Sequence, residues 1–307
     1  MPGGKVVVLA GGTGGAKLAR GMLDVAGDDL VVIANTADDI EVHEAYVCPD
    51  PDLCTFWLAD RIDERGWGLK DDTFAVMAGL REVGEDVWFN LGDRDLAIGL
   101  HRARRLREGA RLTEALAELG AALGLRASVL PMSDAPVRSW VMTGDRWTSF
   151  QEFMIRDRAE GPVDGMELRG IEAASPPPEA LEAIASARAI VIGPSNPVIS
   201  IGPILDVPGM RDALAASPAK VVAVSPLVGG EVVKGPTAAF LAWAGFELTA
   251  AGVAGYYGAV LDGMVSDERE FDPPTPLPAA VLDTLMTDAQ SRRRVAHETV
   301  RFAEALR

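Results

Sequence analysis

Val6-Val7-Val8-Leu9-Ala10-Gly11-Gly12-Thr13-Gly14-Gly15-Ala16-Lys17 is the stretch on which the fold turns. An apolar run without polar alternation is a strand covered on both faces, which belongs in a parallel sheet. It stops in a cluster of glycines, where backbone can approach a ligand closely. Leu18, Ala19, Met22 and Leu23 then recur at helical spacing. Strand, glycine turn and helix N-terminus make an anion seat, because unpaired amides and the positive end of the helix dipole converge there.

Two familiar uses of such a turn fail on residue identity. An ATPase-type loop needs Gly-Lys-Ser/Thr, but Ala16 precedes Lys17 and Leu18 follows it. A dinucleotide fingerprint needs a small residue at Lys17 and an acid ending the second strand. That strand, Leu30 to Ala34, ends in Asn35-Thr36.

Outward from this turn, other apolar runs also end in polar turn residues. Asn35-Thr36-Ala37-Asp38-Asp39 offers paired carboxylates that suit a Mg2+ ion on phosphate oxygens, or equally an Asx turn with solvated acids. In Cys48-Pro49-Asp50-Pro51-Asp52, Asp52 is expected to cap a helix whose stripe is Leu53, Phe56 and Trp57. A helix over 71–83, capped by Asp71 or Asp72, precedes a third strand, Val87 to Leu91. That strand runs into Gly92-Asp93-Arg94-Asp95, where Arg94 is either satisfied within the turn or preset for a polar ligand. Ala189 to Ile192 ends in Gly193-Pro194-Ser195-Asn196-Pro197, and Val221 to Val224 leads to Ser225-Pro226, Gly229-Gly230 and Lys234. Five such strand ends on one sheet edge describe a large polar cleft, the usual ligand site of open α/β sheets.

The expected fold is therefore α/β: a Rossmann-like three-layer αβα sandwich with a mainly parallel sheet and a smaller inserted α+β region. Residues 1–95 and 181–265 form its nucleotide-binding core, and 96–180 the insertion. The insertion contains a helical stretch whose Arg102, Arg104, Arg105 and Arg107 read as a solvated face, and a short strand at Ala127 to Leu130. A hairpin over 137–150, a helix opening at Phe150 and an edge strand, Met166 to Ile171, complete it. Residues 266–307 form a C-terminal segment with a proline-rich spacer, Pro273 to Pro278, and an amphipathic packing or dimer helix from Ala289 to Leu306.

Composition excludes several functions. A net charge of −16 over 307 residues argues against nucleic acid as a partner. Cys48 and Cys54 are spaced neither as a redox pair nor as a zinc half-site, and His43, His101 and His297 form no ligand cluster. No apolar run has membrane-span length and no signal-peptide pattern is present, so no membrane partner and a cytoplasmic location are expected. An acidic chain that binds a polyphosphate also needs local amides, lysines and a divalent cation.

These segments together resemble one family, the CofD/FbiA transferases of deazaflavin coenzyme F-420 biosynthesis. The resemblance rests on GGTGGAKL (Gly11–Leu18), NTADD (Asn35–Asp39), CPDPD (Cys48–Asp52), RGWG (Arg65–Gly68), LGDRDLA (Leu91–Ala97), FQEF (Phe150–Phe153), GPSNPVISIGPIL (Gly193–Leu205) and SPLVGGEVVKGP (Ser225–Pro236). It implies that the ribityl hydroxyl of the deazaflavin Fo attacks a guanosine-diphospho adduct of phospholactate, phosphoenolpyruvate or phosphoglycerate, releasing GMP. Gly11, Gly12, Thr13, Gly14 and Lys17 would then hold the diphosphate, with Asp38 and Asp39 on Mg2+. Asp52 and Arg94 would place Fo, Asp52 also taking the hydroxyl proton. Ser195, Asn196, Gly229, Gly230 and Lys234 would take the guanosine side. A homodimer is likewise implied.

Leu53, Gly99, Ala135 and Ala238 depart from the family pattern and bear on the acceptor pocket and the acid end of the donor. A competing expectation is a nucleotide-sugar-binding regulator resembling the gluconeogenesis factors, which share the GGTGG start.

Overall fold

Val6 to Ala10 have no exposed surface, and only a strand covered by helices on both faces buries five consecutive side chains in this way. The computed structural model describes residues 3–268 and 277–306, so residues 273–276 of the proline-rich spacer lie outside it. In chain order, β1 (Lys5–Ala10), α1 (Gly12–Ala26) and β2 (Leu30–Ala34) form the first βαβ unit. The ribbon β3 (Ile40–Val42) and β4 (Ala45–Val47) leads to α2 (Pro49–Leu58), α3 (Ala75–Glu82), α4 (Asp93–Arg107), α5 (Leu112–Ala122) and β5 (Ser128–Pro131). Next come β6 (Arg138–Thr143), β7 (Arg146–Ser149), α6 (Phe150–Ile155), β8 (Gly165–Arg169), α7 (Pro178–Ala185) and β9 (Ala187–Ile192). They are followed by α8 (Gly202–Asp206), α9 (Met210–Ala216), β10 (Val221–Val224) and the hairpin of β11 (Leu227–Val228) and β12 (Glu231–Val232). The chain closes with α10 (Thr237–Trp243), α11 (Ala250–Tyr257), β13 (Gly263–Ser266), β14 (Ala279–Val281) and α12 (Ala289–Ala305).

The main sheet has seven strands in the order β14-β13-β10-β9-β1-β2-β5, every neighbouring pair parallel. The two-residue period of the strands sorts their side chains into two cores. Val6, Val8 and Ala10 pack with Val32, Val191 and Val224 beneath α1, α2 and α12, through Leu18, Met22, Trp57, Val295 and Val300. Val7 and Leu9 pack with Ile33, Ile190 and Ala223 on the opposite side, against Ile184, Leu214, Phe240 and Val253. This is the expected three-layer sandwich. The inserted region carries its own antiparallel sheet, β7-β6-β8, as the hairpin and edge-strand patterns require.

Four expectations need correction. Val87 to Leu91 is not a strand: Phe89 and Leu91 bury their side chains in a satellite cluster with Met77 and Leu96, away from the main sheet. The cleft therefore has one strand end fewer than the sequence suggests. Second, Ser128–Pro131 and Ala279–Val281, from stretches read as insertion and C-terminal segment, are the two edge strands of the main sheet. Short apolar runs do not reveal their pairing partners, and the main sheet therefore extends into both stretches. Third, α3 starts at Ala75 and is capped by neither Asp71 nor Asp72; its first amides, of Ala75 and Val76, donate to Asp93 at 3.1 and 3.0 Å. Fourth, Arg102 is not on a solvated face but 1% exposed. The helix α12 packs on α1, closely enough that a Cβ on Gly21 would lie 2.3 Å from the Arg292 carbonyl.

Candidate active site

The carboxyl ends of β1, β2, β9 and β10 open on one cavity of about 320 Å³. Gly11, Gly12, Thr13, Gly14, Lys17, Asp38, Ser195, Asn196 and Lys234, all expected at the site, line it. Asp39, Asp52, Arg94, Gly229 and Gly230 do not.

The glycine turn is shaped first by protein packing. A Cβ on Gly14 would lie 2.0 Å from the Pro194 carbonyl, one on Gly15 2.7 Å from Ser195 Oγ, and one on Gly11 2.7 Å from Ser200 Cβ. Only Gly12, at φ +61°, needs the left-handed region. The loops after β1 and β9 thus close on each other. Ser195 Oγ joins them, donating to the Gly11 carbonyl and accepting from the Gly11 amide at 3.4 Å. That hydroxyl is engaged with backbone while Ser195 still lines the cavity. Asn196 Oδ1 accepts from the amides of Val198 and Ile199 at 3.0 and 3.3 Å, while its Nδ2 has no partner among the described residues. Gly11 supplies no side-chain cap to α1, and the Gly12 amide is taken by Asp50, so an anion would meet the amides of Thr13 and Gly14. Lys17 lies one turn on. Burial, then Arg292 and Lys234, lower its pKa, so this wall is cationic despite the acidic chain.

The acid side is built on Asn35, fully buried where a dinucleotide fold would carry its ribose acid. Its Oδ1 accepts from the Ala37 amide at 2.9 Å. Its Nδ2 donates to Asp38 Oδ2 and to Asp50 Oδ2, both at 3.1 Å. Asp50 Oδ1 accepts from the Gly12 amide at 2.6 Å, tying the carboxylates to the glycine turn. Burial raises the Asp38 pKa well above the usual carboxylate range, with the Asp50 charge adding to it, and raises Asp50 to about 6. Asp38 Oδ1 has no hydrogen-bond partner among the described residues. Two carboxylates that resist joint ionisation, one with an unpartnered oxygen, fit a divalent cation. No group of three His, Cys, Asp or Glu ligands exists among the described residues, so such a cation would complete its shell with substrate oxygens and water. Asp50 and Asn35 are the residues that sequence reasoning missed. Their signal was present in CPDPD and in the amide three residues before Asp38.

Asp39 points elsewhere. A second cavity, of about 230 Å³, adjoins the first and is lined by Asp38, Asp39, Arg138, Trp140 and Gln151, among others. Among the described residues, only Asp38 and Phe150 line both. Asp39 Oδ2 accepts from Cys48 Sγ at 3.1 Å, its Oδ1 has no partner among the described residues, and burial raises its pKa to about 7 against the pull of Arg138. Asp38 lines both cavities and Asp39 the second alone, and the carboxylate that shares the Asn35 amide with Asp38 is that of Asp50, not Asp39. Gln151, from FQEF, donates to the Asp38 carbonyl at 3.0 Å and holds the wall between them.

Asp52 is held in a buried ion pair. Arg102 donates to both of its oxygens and to the Tyr46 carbonyl at 2.9 Å. It does not cap α2 from outside, since it sits within the first turn after the N-cap Cys48. Arg94 is exposed and its guanidinium reaches only the Lys70 carbonyl, at 3.5 Å. GDRD instead cross-braces two helices: Asp72 accepts from the α4 amides of Arg94 and Asp95, as Asp93 does from α3. Gly229 and Gly230, at φ +60° and +79°, make the β11–β12 turn, which carries Val233 and Lys234 to the cleft rim. Of the departures from the family pattern, Gly99 has a steric reason: a Cβ there would lie 2.8 Å from Ala45 Cβ, where α4 packs on β4.

Residues 6–298 match the family model for 2-phospho-L-lactate transferase CofD. The chain is 38% identical over 302 residues to a 2-phospho-L-lactate transferase of Methanosarcina mazei, covering 96% of this chain and 99% of that one. It is 39% identical over 317 residues to a phosphoenolpyruvate transferase of Kitasatospora aureofaciens, covering 99% of each. A similar enzyme of Streptomyces coelicolor, also named phosphoenolpyruvate transferase, is 40% identical over 319 residues, again with 99% coverage of each. Among solved structures, a UPF0052 family protein from Bacillus halodurans superposes with a TM-score of 0.63 at 18% identity, over 98% of this chain and all of that one, a likeness of fold.

Proposed function

The chain belongs to the CofD family of 2-phospho-L-lactate transferases, and on that premise we propose that it joins a phosphorylated small acid to the deazaflavin Fo. The donor is the acid's guanosine-diphospho adduct, and GMP leaves. The observation that carries this reading is the shared wall of the two cavities, where Asp38 and Phe150 line both. A diphosphate donor on the glycine turn and an acceptor beside Trp140 meet at that wall.

In the reaction the terminal ribityl oxygen of Fo bonds to the outer phosphorus of the adduct. The bond from that phosphorus to the bridging oxygen breaks, and the bridging oxygen departs on GMP. Such transfers depend on positioning and charge neutralisation more than on covalent participation. The Thr13 and Gly14 amides and Lys17 hold the diphosphate. Asp39, which lines the acceptor cavity and whose pKa burial raises to about 7, takes the hydroxyl proton. Mg2+ would be held by Asp38 and Asp50 and would neutralise developing charge on the phosphoryl oxygens. Identities to the two named activities are nearly equal, 38% and 39%, so pocket side chains rather than overall similarity decide the acid.

No helix among the described residues is long and apolar enough to cross a membrane. The test is incubation with Fo, Mg2+ and each of the three adducts, with mass spectrometry for GMP and the phosphodiester. Release of GMP with one adduct supports the reading. Tight nucleotide-sugar binding without turnover of any adduct would replace it by the regulator.

A further inference from the structure

In Phe150-Gln151-Glu152-Phe153 three residues fix the helix α6 and one reaches away from it. Glu152 closes a capping box with Ser149, its carboxylate accepting from the Ser149 amide at 3.2 Å while Ser149 Oγ accepts from the Glu152 amide at 3.3 Å. Phe150 and Phe153 set their rings edge-on against Phe240, at 6.2 and 6.1 Å between centroids. Gln151 instead spans 113 positions of sequence to donate to the Asp38 carbonyl at 3.0 Å.

That carbonyl belongs to the peptide joining Asp38 to Asp39, and the plane of a peptide governs how the side chains on either side of it leave the chain. The other end of the same peptide is held weakly, the Asp39 amide donating to the Thr36 carbonyl at 3.3 Å. Ser139 of β6 adds a bond one residue earlier, its amide donating to the Ala37 carbonyl at 2.7 Å. The turn that carries both acids is thus clamped from β6 and α6 of the inserted region, while Asn35 in the core holds the Asp38 carboxylate. A ligating group must keep its place to within about 0.5 Å, which a side chain on an unsupported turn does not.

We propose that Gln151 is a positioning residue for the cation site: through the Asp38–Asp39 peptide it holds Asp38 beside Asp50 and leaves Asp39 to the second cavity. The inference rests on the reading that Asp38 and Asp50 hold a divalent cation. The inserted region, whose Trp140 and Gln151 line the acceptor cavity, thereby also sets the geometry of the donor side.

Binding of Mn2+ to the nucleotide-free protein, as a stand-in for Mg2+ read by electron paramagnetic resonance, tests this in the wild type, Asp38→Asn, Gln151→Met and Gln151→Ala. Both Gln151 variants lose the donor at a half-buried position, Met keeping the side chain's length. They should weaken Mn2+ about tenfold, the usual effect of removing an outer support of a ligand, with melting temperatures close to the wild type's. In turnover they should raise the Mg2+ requirement and lower kcat, with little change in KM for Fo. If Gln151→Met fails to fold, Gln151→Ala decides alone. Wild-type Mn2+ affinity in either folded variant, with lost activity confined to KM for Fo, would reduce Gln151 to an acceptor contact and overturn the inference. A weaker Mn2+ affinity that merely tracks an early melt would overturn it as well. Equal Mn2+ binding by the wild type and Asp38→Asn would instead remove the cation reading on which it rests.

Discussion

Asp38 and Asp50, twelve positions apart in sequence, accept hydrogen bonds from the same nitrogen, Asn35 Nδ2, at 3.1 Å each. One amide proton pair holds two buried carboxylates side by side at the mouth of the glycine turn. Their mutual repulsion makes them a poor resting arrangement and a good seat for a doubly charged cation.

Asp38→Asn and Asp50→Asn should each lower GMP release by about a hundredfold or more, because a lost carboxylate removes charge from the cation site. Mg2+ titrations of turnover should show a raised requirement in both. Retained activity and an unchanged Mg2+ dependence would remove the pair from the mechanism.

The pH dependence of activity should follow Asp39. Its carboxyl, raised to about 7 by burial, must be ionised to accept a proton. Below that pH kcat/KM should fall about tenfold per unit, a limb read from free-enzyme pH profiles. Asp39→Asn should lower the rate and flatten that limb.

Stability without Mg2+ should run the other way. Asp39, Asp50 and Asp95 have folded pKa values of about 7, 6 and 7, above the unfolded value of 3.8. Between those limits the folded protein binds more protons than the unfolded chain, so stability falls as pH rises from 4 to 7. Thermal melts of the apo protein should show a lower Tm at pH 8 than at pH 5.5, and Mg2+ should narrow the gap. A Tm that rises steadily to pH 8 without metal would contradict these burials.

Arg102→Met should destabilise the fold by about 3–5 kcal/mol, since it strands Asp52 as a buried unpaired charge. The double variant Arg102→Met with Asp52→Leu should recover most of that loss in urea unfolding. A largely buried pair that could be halved without cost would mean that Asp52 is hydrated in solution.

Gly14→Ala should disrupt the turn more than Gly12→Ala does, although Gly12 has the unusual φ. The added methyl of the former meets the Pro194 carbonyl at 2.0 Å, whereas nothing lies closer than 4.0 Å at the latter. We expect about 1–3 kcal/mol from strain at Gly12 and a larger loss at Gly14, measured by chemical denaturation.

Much of this protein can be read in its residues alone. The unbroken apolar run from Val6 to Ala10 requires cover on both faces, and its abrupt end in glycine requires a close approach of backbone. From these follow the parallel sheet, the cleft at its carboxyl edge and the cationic wall with Lys17. The inserted antiparallel sheet was equally legible, because its hairpin and edge strand obey local rules of turn and alternation.

Which acid does what was decided only in three dimensions. Asp38 and Asp39 are neighbours in sequence, yet only Asp38 reaches the glycine-turn cavity and shares Asn35 with Asp50; Asp50 and Asp52 share one helical turn, yet one meets Gly12 and the other Arg102. Sequence shows that carboxylates lie near a strand end. Side-chain direction, and the partner on a distant element that claims each oxygen, are products of packing. Arg102 shows this most plainly: its composition and spacing fit a solvated helix face, and only the docking of α4 onto β4 and α2 turns it inward. Local periodicity determines which segments form strands and helices. Long-range contacts, which no short window contains, determine which of their polar groups remain free for chemistry.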